Sequence, residues 1–160
     1  MSESVNYPGV VLITGAAGGM GANHARALAT RGTHVCIADV ADCSAVVEEI
    51  TAAGGSASAH ELDVTDAAAW TRVVDEIRNT RGELGGLVNN AGISRRLEFM
   101  DTPDDVWELT MRINLFGPFY GMKPSPRSCA TAAVAPSSTS RRSPGRSATS
   151  RPRTRRASGD

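Results

Sequence analysis

Along its first 123 positions the chain switches repeatedly between two apolar spacings. Val10–Ile13 is a continuous apolar run, which predicts a strand buried on both faces. Glycines and alanines interrupt it, and Ala25, Leu28 and Ala29 then predict a helix over about Ala22–Arg31, stopped by Gly32. The exchange repeats. His34–Val40 reads as a second buried strand, and Val46, Val47 and Ile50 mark a helix ended by Gly54–Gly55. Ala57–Val64 reads as a third strand, terminated by Asp63, with Thr65 as a plausible cap of the next helix. Trp70, Val73, Val74 and Ile77 carry the i, i+3, i+4, i+7 spacing of a core-facing helix. Leu87–Asn89 forms a short fourth strand, and Val106, Leu109, Ile113 and Phe116 share one face of a helix from Asp104 onward. Strands alternating with helices predict an α/β fold with a doubly wound parallel sheet of about four strands.

The chemistry gathers where strands end. Val10–Ile13 runs into Thr14, Gly15, two alanines, Gly18, Gly19, Met20 and Gly21, and then into a helix. A strand, a glycine turn and a helix in that order suit a pyrophosphate: glycines admit the phosphates to backbone amides, and the helix N-terminus supplies free N–H groups. Tight turning alone also explains glycines of this kind. Asp39, followed by Val40, lies eighteen residues after Gly21, close to the offset at which an acid holds the adenosine ribose of NAD. The cap of the helix that follows is the alternative, and the agreement of strand end and offset favours the ribose. A carboxylate there repels a 2′-phosphate, and the glycine loop carries no Arg or Lys, so NAD is expected over NADP. Asn89-Asn90-Ala91-Gly92 places amides at the end of the fourth strand, where a ligand or the turn itself can use them. Asn114 lies beside an apolar helical face and needs a partner, a backbone carbonyl or a water chain. His60 has no partner spacing and reads as a surface histidine, while Cys36, inside an apolar strand, reads as a small core residue.

Composition divides the chain in two. The formal net charge is zero, yet residues 1–123 hold nine Lys/Arg against sixteen Asp/Glu, and the last 37 residues hold eight Arg against one Asp. No apolar run approaches the ~20 residues of a membrane span and no secretory signal pattern is visible, so no membrane partner is expected. Three cysteines without metal-ligand spacing point to a reducing, cytoplasmic setting and to no metal site.

With these residues assembled, the chain resembles the short-chain dehydrogenase/reductase family. Thr14-Gly15-x-x-x-Gly19-x-Gly21 matches the family's T-G-x-x-x-G-x-G loop, and Asp39 its NAD-selecting acid. Asp63-Val64 matches the pair beside the adenine, Asn89-Asn90-Ala91-Gly92 the N-N-A-G motif, and Asn114 in R-I-N-L-F-G the helix asparagine of a proton relay. The resemblance covers about 123 residues. It implies a Rossmann-type fold and hydride transfer between NAD(H) and an alcohol or ketone, in a family usually homo-oligomeric. It also implies that Thr14, Gly15, Gly19, Met20 and Gly21 line the pyrophosphate, Asp39 and Val40 the ribose end, and Asp63 and Val64 the adenine. Asn90, Ala91 and Gly92 would follow on the adenosine side, and Asn114 would be the one catalytic-relay residue.

The family further requires a serine and a Y-x-x-x-K pair, the tyrosine acting as general acid/base with its pKa lowered by the lysine. The two tyrosines here are Tyr7 and Tyr120, and neither is followed by a lysine four residues on. After Lys123 the hydrophobic patterning stops: nine Ser, eight Arg, six Ala, five Pro and four Thr leave one aliphatic residue, Val134. As genuine protein this is a disordered basic tail. It lacks the aromatics that stack on bases, so no nucleic acid is expected, although a non-catalytic chain whose tail binds nucleic acid or an acidic partner is the rival reading. A one-base slip of the reading frame after Lys123 is the other explanation. Undoing it lets Ala132–Gly145 read G-G-G-G-A-I-V-N-I-S-S-I-A-G, with the serine at Arg141 or Arg142. Thr154 then becomes tyrosine and Ser158, four residues later, lysine. Either way the chain as given lacks the serine, tyrosine and lysine, and no dehydrogenase activity is expected of it.

Overall fold

The computed structural model describes residues 9–126 and the backbone of residues 130–133. Its centre is β1 (Val10–Thr14), which pairs in parallel with β2 (His34–Asp39) on one side and β4 (Gly86–Asn89) on the other. Beyond β2 lies β3 (Ser56–Glu61), and beyond β4 lies β5 (Ala130–Ala133), giving the order β3-β2-β1-β4-β5. Connections between parallel strands need crossovers, which here are α1 (Gly19–Ala29), α2 (Ser44–Ala52) and α3 (Ala67–Arg81). The Rossmann-type sheet expected from the sequence is therefore present.

Side chains of β1 alternate between two layers. Val11 and Ile13 pack with Ala22 and Ala25 of α1 and Val46 and Ile50 of α2. Leu12 faces the opposite layer, with Trp70, Val73 and Ile77 of α3. Burial on both faces is why the strand carries no polar alternation. The helix after residue 103 closes the second layer in two pieces, α4 (Asp104–Met111) and α5 (Gly117–Met122), joined by a π-helical stretch at Arg112–Phe116. α5 reaches the core through Gly121, where a Cβ would stand 2.6 Å from the Trp70 ring. The indole answers by donating its Nε1–H to the Val64 carbonyl, 3.0 Å away.

Several expectations need correction. The sheet extends past the about four strands expected, because β5 pairs with β4 in register from Gly86–Ala130 to Asn89–Ala133. That makes five strands and draws residues 130–133 out of the expected disordered tail; residues 127–129 and 134–160, with Cys129, lie outside the described residues. β3 stops at Glu61 rather than Asp63, and Asp66, not Thr65, caps α3 by accepting from the Ala68 amide at 2.8 Å. The residues expected to share one buried face from Val106 to Phe116 do not: Leu109 and Phe116 are exposed, and a π turn interrupts the helix at Arg112–Phe116. His60 is buried, not a surface residue.

Candidate dinucleotide site

At the carboxyl ends of β1, β2 and β4 the sheet opens into a cleft of about 460 Å³. Its floor is the turn from β1 into α1. Helix α1 begins at Gly19, so amides of its first turn have no intrahelical acceptor and face outward with the positive end of the helix dipole. A Cβ built on Gly18 or Gly19 meets nothing within 4 Å, which leaves this lip free for a bulky anion. Gly21 has a different task. A Cβ there would stand 2.6 Å from the Asn90 amide nitrogen and 2.8 Å from the Ala16 Cα, so only glycine lets the turn close.

Thr14 ties the two loops together from behind. Its hydroxyl accepts the amides of Asn90 and Ala91, each at 3.1 Å, and donates to the Val88 carbonyl at 3.4 Å. The Asn90 side-chain amide reciprocates, donating to the carbonyls of Thr14 and Gly15 at 2.9 Å. Asn89 points into the core instead, with neither amide atom partnered among the described residues.

At one end of the cleft stands Asp39. One carboxylate oxygen accepts the Ala17 amide of the glycine loop and the other the Ala41 amide, both at 3.1 Å. The strand end is thereby locked to the loop; Asp39 does not cap α2, whose N-cap is Cys43. Val40, largely exposed, and Asp63 with Val64 complete this end. Asp63 accepts from the amide and hydroxyl of Thr65, each at 2.8 Å, which fixes the turn after β3. No Arg or Lys lines the cleft.

Asn114 sits in the π-helical stretch and finds the backbone partner its position requires. Its Oδ1 accepts the Ile93 amide at 2.9 Å and its Nδ2 donates to the Ile93 carbonyl at 2.8 Å. A π turn inserts one extra residue into a helix, and such turns are frequent at functional sites. Here it holds the segment after Gly92 against the cleft.

Ten of the expected site residues line the cleft: Gly15, Gly19 and Met20; Asp39 and Val40; Asp63 and Val64; Asn90, Ala91 and Gly92. Thr14, Gly21 and Asn114 stand one layer behind and shape it. Sequence reading missed Gly18, Leu62, Ile93 and Ile113 as lining residues. Gly18 was visible as part of the glycine run, and Leu62 and Ile93 flank motif residues. Ile113 read only as core. The cysteines take no part: burial pushes the thiols of Cys36 and Cys43 up to about 11, so both stay protonated at neutral pH. No group of metal ligands occurs among the described residues, and no described helix is long and apolar enough to cross a membrane.

The cleft fits a dinucleotide: a glycine lip open to an anion, free helix amides, and a carboxylate at the far end. Comparison with known proteins agrees. The short chain dehydrogenase family profile matches residues 9–128. The chain is 43% identical over 122 residues to trans-4-hydroxycyclohexanecarboxylate dehydrogenase of Sinomonas cyclohexanicum, covering 71% of this chain and 47% of that protein. It is 39% identical over 116 residues to cyclopentanol dehydrogenase of Comamonas sp. (strain NCIMB 9872), covering 71% and 46%. A solved short chain dehydrogenase from Mycobacterium avium superposes with a TM-score of 0.70 at 34% identity, over 72% of this chain and 45% of that one. The chain thus spans about half the length of the curated relatives it matches, and the family profile over most of the chain shows that it belongs to the short-chain dehydrogenase family.

Proposed function

We propose that residues 9–126 are the NAD-binding half of a short-chain dehydrogenase acting on a small alcohol or ketone, and that the 160-residue chain by itself is catalytically silent. Asp39 carries the cofactor reading. Its carboxylate is pinned at the ribose end of the cleft, and no cation lies there to accept a 2′-phosphate. The diol of an NAD ribose suits two fixed carboxylate oxygens; a phosphate monoester meets repulsion. When bound, the nicotinamide ring supplies the hydride donor or acceptor. The chain's own share is to cradle the pyrophosphate on the α1 amides, hold the ribose at Asp39 and pack the adenine beside Val40, Asp63 and Val64.

Silence follows from what is missing. Alcohol oxidation needs a base for the hydroxyl proton, and general acid–base catalysis is typically worth ~10²–10⁴-fold. Tyr120 has Lys123, not a lysine four positions on, and Asn114 is committed to the Ile93 backbone. Arg141/Arg142, Thr154 and Ser158, where the serine, tyrosine and lysine of the family would fall, provide neither a phenol nor an ammonium. The loss of hydrophobic patterning after Lys123, with the serine, tyrosine and lysine recoverable at family spacing in the shifted frame, supports a frame slip there.

The purified chain with NAD and a secondary alcohol such as cyclopentanol is expected to give no NADH above background. Inserting one base after codon 123 is expected to yield a longer, NAD-dependent enzyme. Turnover by the 160-residue chain would overturn the silent reading. For the cofactor, calorimetry is expected to show tighter NAD than NADP binding, and Asp39→Ala is expected to narrow the gap. Tighter NADP binding by the unaltered chain would refute the role given to Asp39.

A further inference from the structure

Strand β3 is held in an unusual way. Its sequence, Ser56-Ala57-Ser58-Ala59-His60-Glu61, brings no side chain larger than alanine to the apolar core, although it is the edge of the sheet. On the face toward α3 it offers Ser56, Ser58 and His60 instead, and these join β2 through side-chain hydrogen bonds. His34 Nδ1 lies 2.7 Å from the Ser56 hydroxyl and His34 Nε2 lies 3.1 Å from the Ser58 hydroxyl. The same Ser58 hydroxyl is 2.9 Å from His60 Nε2 and donates to Cys36 Sγ at 3.6 Å. Both histidines are more than nine-tenths buried.

Ser58, His60 and Glu76 stand in the order of a nucleophile, a base and a carboxylate. The Ser58 hydroxyl is nevertheless shared with His34 and Cys36, which makes it a bridge between two imidazoles rather than a free nucleophile. A proton added to either ring brings charge into a buried place beside the other ring. Two charges on α3 bear on it. Arg81 opposes protonation of both rings. Glu76, whose Oε1 is 3.4 Å from His60 Nδ1 without hydrogen-bond geometry, favours protonation of His60.

We propose that His34, Ser58 and His60 form a proton-sensitive seam that fastens β3 to the sheet, so that mild acid releases the edge carrying Asp63 and Val64. Burial holds both imidazoles below their ordinary value of 6.5, against the partial opposition of Glu76 at His60. The unfolded strand therefore binds more protons as pH falls below 6.5, and the stability that neutral histidines provide is present above that value and lost below it. The consequence reaches the cleft because the Leu62 amide, just past β3, donates to the Asp39 carbonyl at 3.0 Å. The proposal does not depend on which cofactor the cleft takes.

Amide hydrogen exchange on the full 160-residue chain, between about pH 7.5 and 5 and corrected for intrinsic rates, reads the seam. The opening constant of residues 56–61 is expected to rise up to about tenfold per pH unit below 6.5 for each histidine that must stay neutral, and that of residues 10–14 to rise less. The double variant His34→Gln, His60→Gln is expected to abolish the extra pH dependence, and Arg81→Gln to weaken it. A pH-independent opening of β3 in the unaltered chain, or the same slope in the double variant, overturns the proposal. Should the double variant not fold, imidazole titration by NMR in the unaltered chain decides: both rings titrating below 6.5 supports the seam, and either at or above it overturns it.

Discussion

The two sides of β1 were built by different means. Toward β2, strands, loops and helices close on one another: Leu12, Ile13, Val35 and Ile37 are sealed from solvent, and Asp39 ties a strand end to the glycine loop. Toward the helix pair α4–α5 the large apolar residues face outward, with Trp107, Leu115, Phe116 and Phe119 all about half exposed. Burial of such side chains is worth roughly 1.5–3 kcal/mol each, so the second region forgoes stabilisation that the first collects. Exposed apolar patches of that kind are the surfaces on which proteins associate. The candidate site is braced by its own strands and loops, whereas among the described residues the large apolar side chains of the helix pair stay half exposed.

Trp70 is where the two regions meet, and removing it should give the largest effect. Trp70→Ala deletes a fully buried ring, its bond to Val64 and the seat of Gly121, and is expected to cost about 3–5 kcal/mol in urea unfolding. A loss under about 1 kcal/mol would mean that α5 does not depend on the core. Asn114→Ala comes next. It leaves both backbone groups of Ile93 without their partner, at an expected cost of about 1–3 kcal/mol, and should weaken dinucleotide binding because the loop after Gly92 is freed. Unchanged calorimetric affinity would separate the π turn from the cleft. Phe116→Ser should be smallest, about 1 kcal/mol or less in monomer stability because the half-exposed ring still stacks on Tyr120, with self-association by light scattering reduced. A marked destabilisation there would show that the exposed face is packed after all and would erase the contrast between the regions.

How far the sequence could be read depended on the range of the forces involved. Continuous apolar runs identified β1 and β2 because burial on both faces leaves no polar alternation, and the glycine loop, Asp39 and the Asn89–Gly92 turn could be placed because each lies at a strand end. Helix periodicity overreached at Val106–Phe116, since spacing reports which residues could share a face and not whether an opposing surface exists. His60 was misjudged for a related reason: on a strand of serines and alanines nothing local marks it as buried.

By itself the sequence determined the α/β alternation, the family motifs and the absence of a Tyr-x-x-x-Lys pair, because these are set by neighbours along the chain. Tertiary structure alone decided the pairing of β5 with β4, the π turn that lets Asn114 grip Ile93, and the seating of Gly121 on Trp70. It also decided the Ser58 hydroxyl shared by two histidines from different strands. Each of those depends on groups more than twenty residues apart meeting in one place or on a helix yielding to a contact, and no local propensity encodes either.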